Sequence, residues 1–334
     1  MKASSDRAET VVSGTQETSI LAVHPGALGD VVLFGRLLET LGSRVTLAAG
    51  GEKARLLAGL GVVAGAMDFD SLPMHEVFAD VDVSQCALPG RLGRHGRLIS
   101  CFGEAGTPAG RRLAEMCGAA EAFFLPTRPP ADFPGHLLEL WARQLGLPAD
   151  VTGSLRSPSA WPVPEAWRGR AGETLAELGV GLGRPYAAIH PGAGAEEKCW
   201  PVERFCAVAA ALAAGGLGVV FVPGPVELDR WRDGRLERLH RAGRVLAGAE
   251  LSVLAGVLAA AAVYVGNDSG ASHLAAAVGA PTVALFGPTD PRHFRPLGPS
   301  VRVVAAGAGG GSARMADITV EQVLSFLPPA VTGG

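Results

Sequence analysis

Three short stretches hold residue types suited to chemistry on hydroxyls and phosphates. In GALGDVV, Gly26 and Gly29 lead into a helical pattern whose first turn carries Asp30. A carboxylate there can accept a proton from a hydroxyl, and it can equally cap the helix by accepting backbone N–H bonds. In HPGAGAEEKCWP, Gly192 and Gly194 permit close backbone approach and Lys198 supplies a compact cation that suits a phosphate. The third stretch is VYVGNDSGASHLAAAVGAPTVALFGPTDP, where an apolar run stops at Gly266 and Asn267, Asp268, Ser269 and Gly270 turn into a helix. The first amides of such a helix can hold an anion. His273 follows one turn later and is either a participant or a packed helix residue, and Thr289 and Asp290 close the next strand. The spacing matches neither the G-x-G-x-x-G fingerprint nor a Gly-Lys-Ser/Thr phosphate loop.

These turns require a scaffold that gathers strand ends. From Ile20 the chain reads strand (ILAV), glycine-rich turn, helix (VVLFGRLLETL) and strand (RVTLAA), one βαβ unit, and the alternation continues through RLISCF and AEAFFLP. A stretch dense in Pro, Ser and Gly, PADVTGSLRSPSAWPVPEAW, reads as a linker. After it the alternation restarts more clearly, with strands YAAIH, GVVFVPG, AVYVGND and TVALFG separated by helical patterns. His-Pro-Gly-Ala occurs at the end of the first strand of each half, at His24 and His190. The pattern predicts an α/β protein with two Rossmann-like, doubly wound domains. Their strand ends face a central cleft that both His-Pro-Gly-Ala loops would line.

The 334 residues suit two domains, and 48% hydrophobic with 18% charged residues describes an ordinary globular chain. A net charge of -3 gives no reason to expect nucleic acid as a partner. Five cysteines without a C-x-x-C pair argue against a disulfide framework or a zinc knuckle. Residues 1–18 read as a loose polar tail, with none of the features of a signal peptide. The basic cluster RLGRHGR, with Arg91, Arg94, His95 and Arg97, could meet an anionic partner or form a solvated loop.

Together, GALGDVV, HPGAGAEEKCWP, GNDSGASHLAAAVGAPTVALFGPTDP and the closing ADITVEQVL resemble glycosyltransferase family 9, the ADP-heptose:lipopolysaccharide heptosyltransferases, in order and over nearly the whole chain after the tail. The resemblance implies a GT-B fold with an acceptor-binding domain over residues 19–160 and a nucleotide-sugar-binding domain over residues 161–316. It further implies a last helix, within residues 317–330, packed back on the first domain. Inverting heptose transfer would need no metal and no cofactor beyond the ADP-sugar donor substrate, and closure of the two domains would accompany turnover. By position, Asp30 would be the general base, Lys198 would contact the phosphates, and Asp268, Ser269 and Gly270 would hold sugar and diphosphate. His273, Gly192 and, on a looser alignment, Glu227 would complete the donor side. His24, Gly29, Arg94 and Arg97 are expected on the acceptor side, although His24-Pro25 stands where the family commonly has a basic residue. The acceptor is expected to be lipid-linked or a glycan, and the protein cytoplasmic with peripheral contact at the inner membrane. Two alternatives stay open: a related transferase using another nucleotide sugar for a surface glycan, and a non-catalytic nucleotide-sugar-binding protein.

Overall fold

The structure, a computed structural model, describes residues 19–328 apart from 43, 156, 182, 232–233 and 308–312. The tail expected over residues 1–18 lies outside the described residues, as do residues 329–330 of the last segment.

Two parallel sheets form. The first contains β1 (Ile20–Val23), β2 (Val45–Ala49), β3 (Gly65–Asp68), β4 (Arg97–Ser100) and β5 (Glu121–Phe124) in the order β3-β2-β1-β4-β5. The second contains β6 (Tyr186–His190), β7 (Gly218–Phe221), β8 (Arg244–Val245), β9 (Val263–Asn267), β10 (Thr282–Phe286) and β11 (Val301–Ala305) in the order β11-β10-β9-β6-β7-β8. Both sheets place their first strand centrally, with the second strand on one side and the fourth on the other. The repeat of His-Pro-Gly-Ala therefore falls at the same topological point of each sheet, the switch in strand order beyond which open α/β sheets bind ligands.

Helices α1 (Leu28–Leu38), α2 (Lys53–Gly59), α3 (Leu88–Leu92) and α4 (Pro108–Cys117) alternate with the first set of strands. Helices α5 (Leu137–Gln144) and α6 (Ala149–Ser154) lead out of it. The second half carries α7 (Glu165–Glu177), α8 (Val202–Ala214), α9 (Pro225–Arg230), α10 (Arg235–Ala242), α11 (Leu251–Ala260), α12 (Gly270–Ala277), α13 (Pro291–Phe294) and α14 (Val320–Ser325). No described helix is long and apolar enough to cross a membrane.

Helix α1 positions the site. Its residues from Val31 to Leu38 are all buried, and a helix buried on every side must have partners on every side. Besides its own sheet it packs against α5 and, across the boundary between the halves, against α12. Val32, Leu33 and Leu37 accordingly share one continuous core with Leu274, Ala275 and Ala277. The helix begins after extended Ala27, whose N–H donates to Asp30 Oδ2 at 3.2 Å.

The last helix departs from expectation. Helix α14 packs on α8, in its own half, and Val323 and Leu327 join the core around Phe205 and Leu212. Arg302 of β11 donates to the carbonyls of Phe326 and Leu327, both at 3.0 Å, and Trp200 Nε1 donates to the Ile318 carbonyl at 3.0 Å. Helix α8 packs on β6 and β7 of its own sheet, and the C-terminal segment packs on it in turn. Among the described residues, these contacts of the segment lie in the second half, where the resemblance implied packing on the first domain.

Candidate active site

A cavity of about 720 Å³ opens between the halves at the carboxyl ends of the strands, and Asp30, Lys198 and Asp268 all line it. Each arrives from a different turn: Asp30 after β1, Lys198 after β6 and Asp268 after β9. Lys198 Nζ donates to Asp268 Oδ2 at 2.8 Å, with Asp268 nearly buried and Lys198 one-third exposed, so the cation remains open to the cavity.

The donor-side turn is braced from below. Fully buried Asn267 accepts from Trp200 N at 3.1 Å and donates to the carbonyls of Pro191 and Gly192 at 2.9 and 3.1 Å. One amide side chain thus staples the β6 and β9 turns together. Ser272 donates to the Asn267 carbonyl at 2.5 Å and shares a hydrogen bond with buried Tyr264 at 3.0 Å. Ser269 takes extended backbone angles immediately before α12, and its side chain makes no capping bond. Ser272 N and His273 N donate to the Ser269 carbonyl at 3.1 and 3.3 Å, and Gly270 N and Ala271 N, without a partner among the described residues, are left for a ligand or water.

Gly29 and Gly270 occupy one close approach. A Cβ on Gly270 would lie 2.7 Å from Leu28 Cβ and 3.1 Å from Gly29 N, and a Cβ on Gly29 would lie 3.0 Å from the His273 ring. The amino ends of α1 and α12 meet here, so Gly29 is a contact between the halves. His273 lies buried at this seam with Nδ1 unpartnered among the described residues. Burial lowers its pKa, against the opposing pull of Asp268 and Asp30.

His24 lines the cavity but is no substitute cation. Its Nδ1 accepts from Gly26 N at 3.0 Å, which puts the ring proton on Nε2, and the ring packs against Phe34 and Trp141 at 5.3 and 6.4 Å between centroids. Burial pulls its pKa to about 4. Positive charge reaches this loop from elsewhere: Lys53, at the start of α2, donates to the Gly26 carbonyl at 2.9 Å, and Arg128, beyond β5, lines the cavity beside Thr127. Motif reading passed over both, although the strand-end rule that found Asp30 applies equally to the turn after β5.

Three further expectations are modified. Arg94 and Arg97 lie away from the cavity: Arg97 begins β4, at the opposite end from the cleft, and pairs with Glu121 at 2.6 Å, while Arg94 packs near Gly118. Strand polarity decides this, since a parallel strand carries its first and last residues to opposite edges. The second His-Pro-Gly-Ala loop does not line the cavity directly, which it reaches through Glu197 and Lys198. Glu227 is buried behind that loop, accepting from Gly224 N at 2.7 Å; a Cβ on Gly192 would come within 1.9 Å of its carboxyl, so only glycine fits there. Asp290 does line the cavity, with its carboxylate held by Arg292 at 2.6 Å.

Comparison with known proteins agrees with this architecture. The profile of glycosyltransferase family 9 (heptosyltransferase) matches residues 142–319. Lipopolysaccharide heptosyltransferase 2 of Escherichia coli strain K12 is 30% identical over 189 residues, 52% of this chain and 54% of that protein. Lipopolysaccharide heptosyltransferase 3 of Escherichia coli is 35% identical over 120 residues, 35% of each. The chain thus spans about a third to a half of the length of these curated relatives. A family 9 glycosyltransferase from Veillonella parvula superposes with a TM-score of 0.72 at 20% identity, covering 94% of this chain and 97% of that one. The ADP-heptose lipopolysaccharide heptosyltransferase II structure from Escherichia coli gives 0.68 at 22%, covering 94% and 98%. The two parallel sheets are the paired Rossmann-like domains of a GT-B fold, and the chain belongs to glycosyltransferase family 9, the heptosyltransferase family.

Proposed function

We propose that the protein is an inverting, metal-independent glycosyltransferase that moves a heptose from ADP-heptose to a lipopolysaccharide inner-core or related glycan acceptor. The observation that carries this reading is the convergence of Asp30 from one half with Lys198 and Asp268 from the other on one cavity. Inverting transfer needs those two contributions on opposite faces of the sugar.

The acceptor hydroxyl gives its proton to Asp30 as its oxygen attacks the anomeric carbon, and the bond from that carbon to the diphosphate breaks on the far side. Negative charge grows on the departing ADP. Lys198 and the free amides at the start of α12 meet that charge by direct attraction and by the helix dipole. Asp268, beside the same turn, is placed to accept from sugar hydroxyls once the diphosphate competes for Lys198. On the acceptor side, Arg128 offers a cation to an anionic glycan, and Lys53 holds the loop that precedes Asp30. The reaction is assigned to the cytoplasm, with the lipid-linked acceptor presented at the inner-membrane surface.

A donor screen by calorimetry, followed by transfer assays, tests the reading. ADP-heptose should bind in preference to UDP-, GDP- and CDP-sugars, and transfer should persist in EDTA. Preference for another nucleotide would move the donor assignment, and binding without transfer or hydrolysis would make the protein a nucleotide-sugar-binding module.

A further inference from the structure

Six residues after Asp30, α1 carries an arginine buried to 1% exposure. Arg36 Nη1 donates to both carboxylate oxygens of Glu39 at 3.1 and 3.2 Å and to the Ser159 carbonyl at 3.0 Å. Its Nη2 donates to the Ala277 carbonyl at 3.1 Å, and the guanidinium lies over the Trp161 ring at 4.3 Å. Trp161 in turn donates its backbone N–H to the same Ala277 carbonyl at 2.8 Å and its indole N–H to Glu39. One planar group thus joins three parts of the chain: the end of α1, the connection between the halves, and the last residue of α12.

Burial of a guanidinium is costly unless its donors are engaged. Here Nη1 and Nη2 are engaged, at Glu39 beyond α1, at Ser159 and at the Ala277 carbonyl that ends α12, where the helix dipoles favour a cation, while Nε has no partner among the described residues. The opposite ends of these helices carry the proposed chemistry, with Asp30 in the first turn of α1 and Asp268, Ser269 and Gly270 at the start of α12. The pair is therefore fastened at both ends, by Arg36 at one and by the Gly29–Gly270 approach at the other.

We propose that Arg36 is a positioning residue for glycosyl transfer: by tying the end of α1 to the end of α12 it sets the spacing between Asp30 and the donor turn. This rests on the transferase reading above. An eight-residue helix is about 12 Å long, so a tilt of about 5° around its far end displaces its near end by about 1 Å. A misplacement of that size is enough to slow a reaction by about a hundredfold.

Arg36→Met keeps most of the side-chain volume and removes every donor, whereas Arg36→Lys keeps the charge without the planar fork. The donor contacts lie in the second half, so donor affinity should stay within about twofold of the parent in both variants. The turnover number should fall about tenfold or more in Arg36→Met and less in Arg36→Lys. Without substrate, hydrogen exchange of the amides from Ala276 to Val278 should accelerate in the same order. A folded Arg36→Met protein with parental turnover overturns the proposal. Should that variant fail to fold, Arg36→Lys decides, with parental turnover and parental exchange overturning it. A parent inert toward every donor defeats the transferase reading instead, and the exchange measurement then judges the tether by itself.

Discussion

Lys198 and Asp268 stand 70 residues apart in the chain and 2.8 Å apart in the fold. The ion pair presents a cation to the cavity while satisfying a carboxylate that is nearly buried. Lys198→Ala removes the proposed phosphate contact and leaves the Asp268 charge facing the diphosphate. Donor affinity should fall by about 1.5–3 kcal/mol, the usual size of a charge-assisted contact, with the fold retained. Calorimetry with ADP-sugar reads this directly, and unchanged affinity would remove Lys198 from the phosphate site.

Asp30 has two roles to separate, because its carboxylate accepts from Ala27 N and also lines the cavity. Asp30→Asn keeps an acceptor oxygen for the Ala27 amide, so the loss of stability should be about 1 kcal/mol or less. Transfer should slow by about a hundredfold or more, the contribution of a general base. Parental transfer rates in a stable Asn variant would leave Asp30 as a helix cap only.

Gly192 is tested by adding one methyl group. With Glu227 1.9 Å from the position of the new carbon, Gly192→Ala must push the buried carboxylate away from Gly224 N or shift the β6 turn. The expected cost is about 1–3 kcal/mol in unfolding free energy, as for other overpacked sites, with weaker donor binding because the same turn leads to Lys198. Denaturant titration and calorimetry should move together. A variant with parental stability would show that the turn yields without cost.

His24 makes stability depend on pH. Burial holds its folded pKa at about 4 against an ordinary value of 6.5. Between those values the unfolded chain takes up a proton that the native ring refuses, so stability rises with pH through the window. The contribution is complete above about pH 6.5 and is lost as pH falls toward 4, amounting to about 3 kcal/mol at most. Melting temperatures from pH 4 to 7 should therefore fall less steeply in acid for His24→Gln than for the parent. Parallel curves would place the acid sensitivity elsewhere, with buried His136, held at about 3, the next group to examine.

The chain's local patterns determined the two parallel sheets and the turns that carry Asp30, Lys198 and Asp268–Ser269–Gly270. Strand length, helical period and glycine placement act over a few residues, so they can be read where they stand. The tertiary structure decided what those residues meet. Arg36 looks like an ordinary helix residue until the Ala277 carbonyl, 241 positions away, arrives beside it. His24 looks like a polar turn residue until Phe34 and Trp141 close over it and deny it a charge. Arg97 sits in a basic cluster, yet the direction of β4 carries it to the wrong edge of the sheet. Helix α14 carries no local mark of the half it joins, and its packing on α8 places it with the second. Burial, ion pairing and strand polarity all depend on chain segments remote in sequence, which local periodicity does not encode.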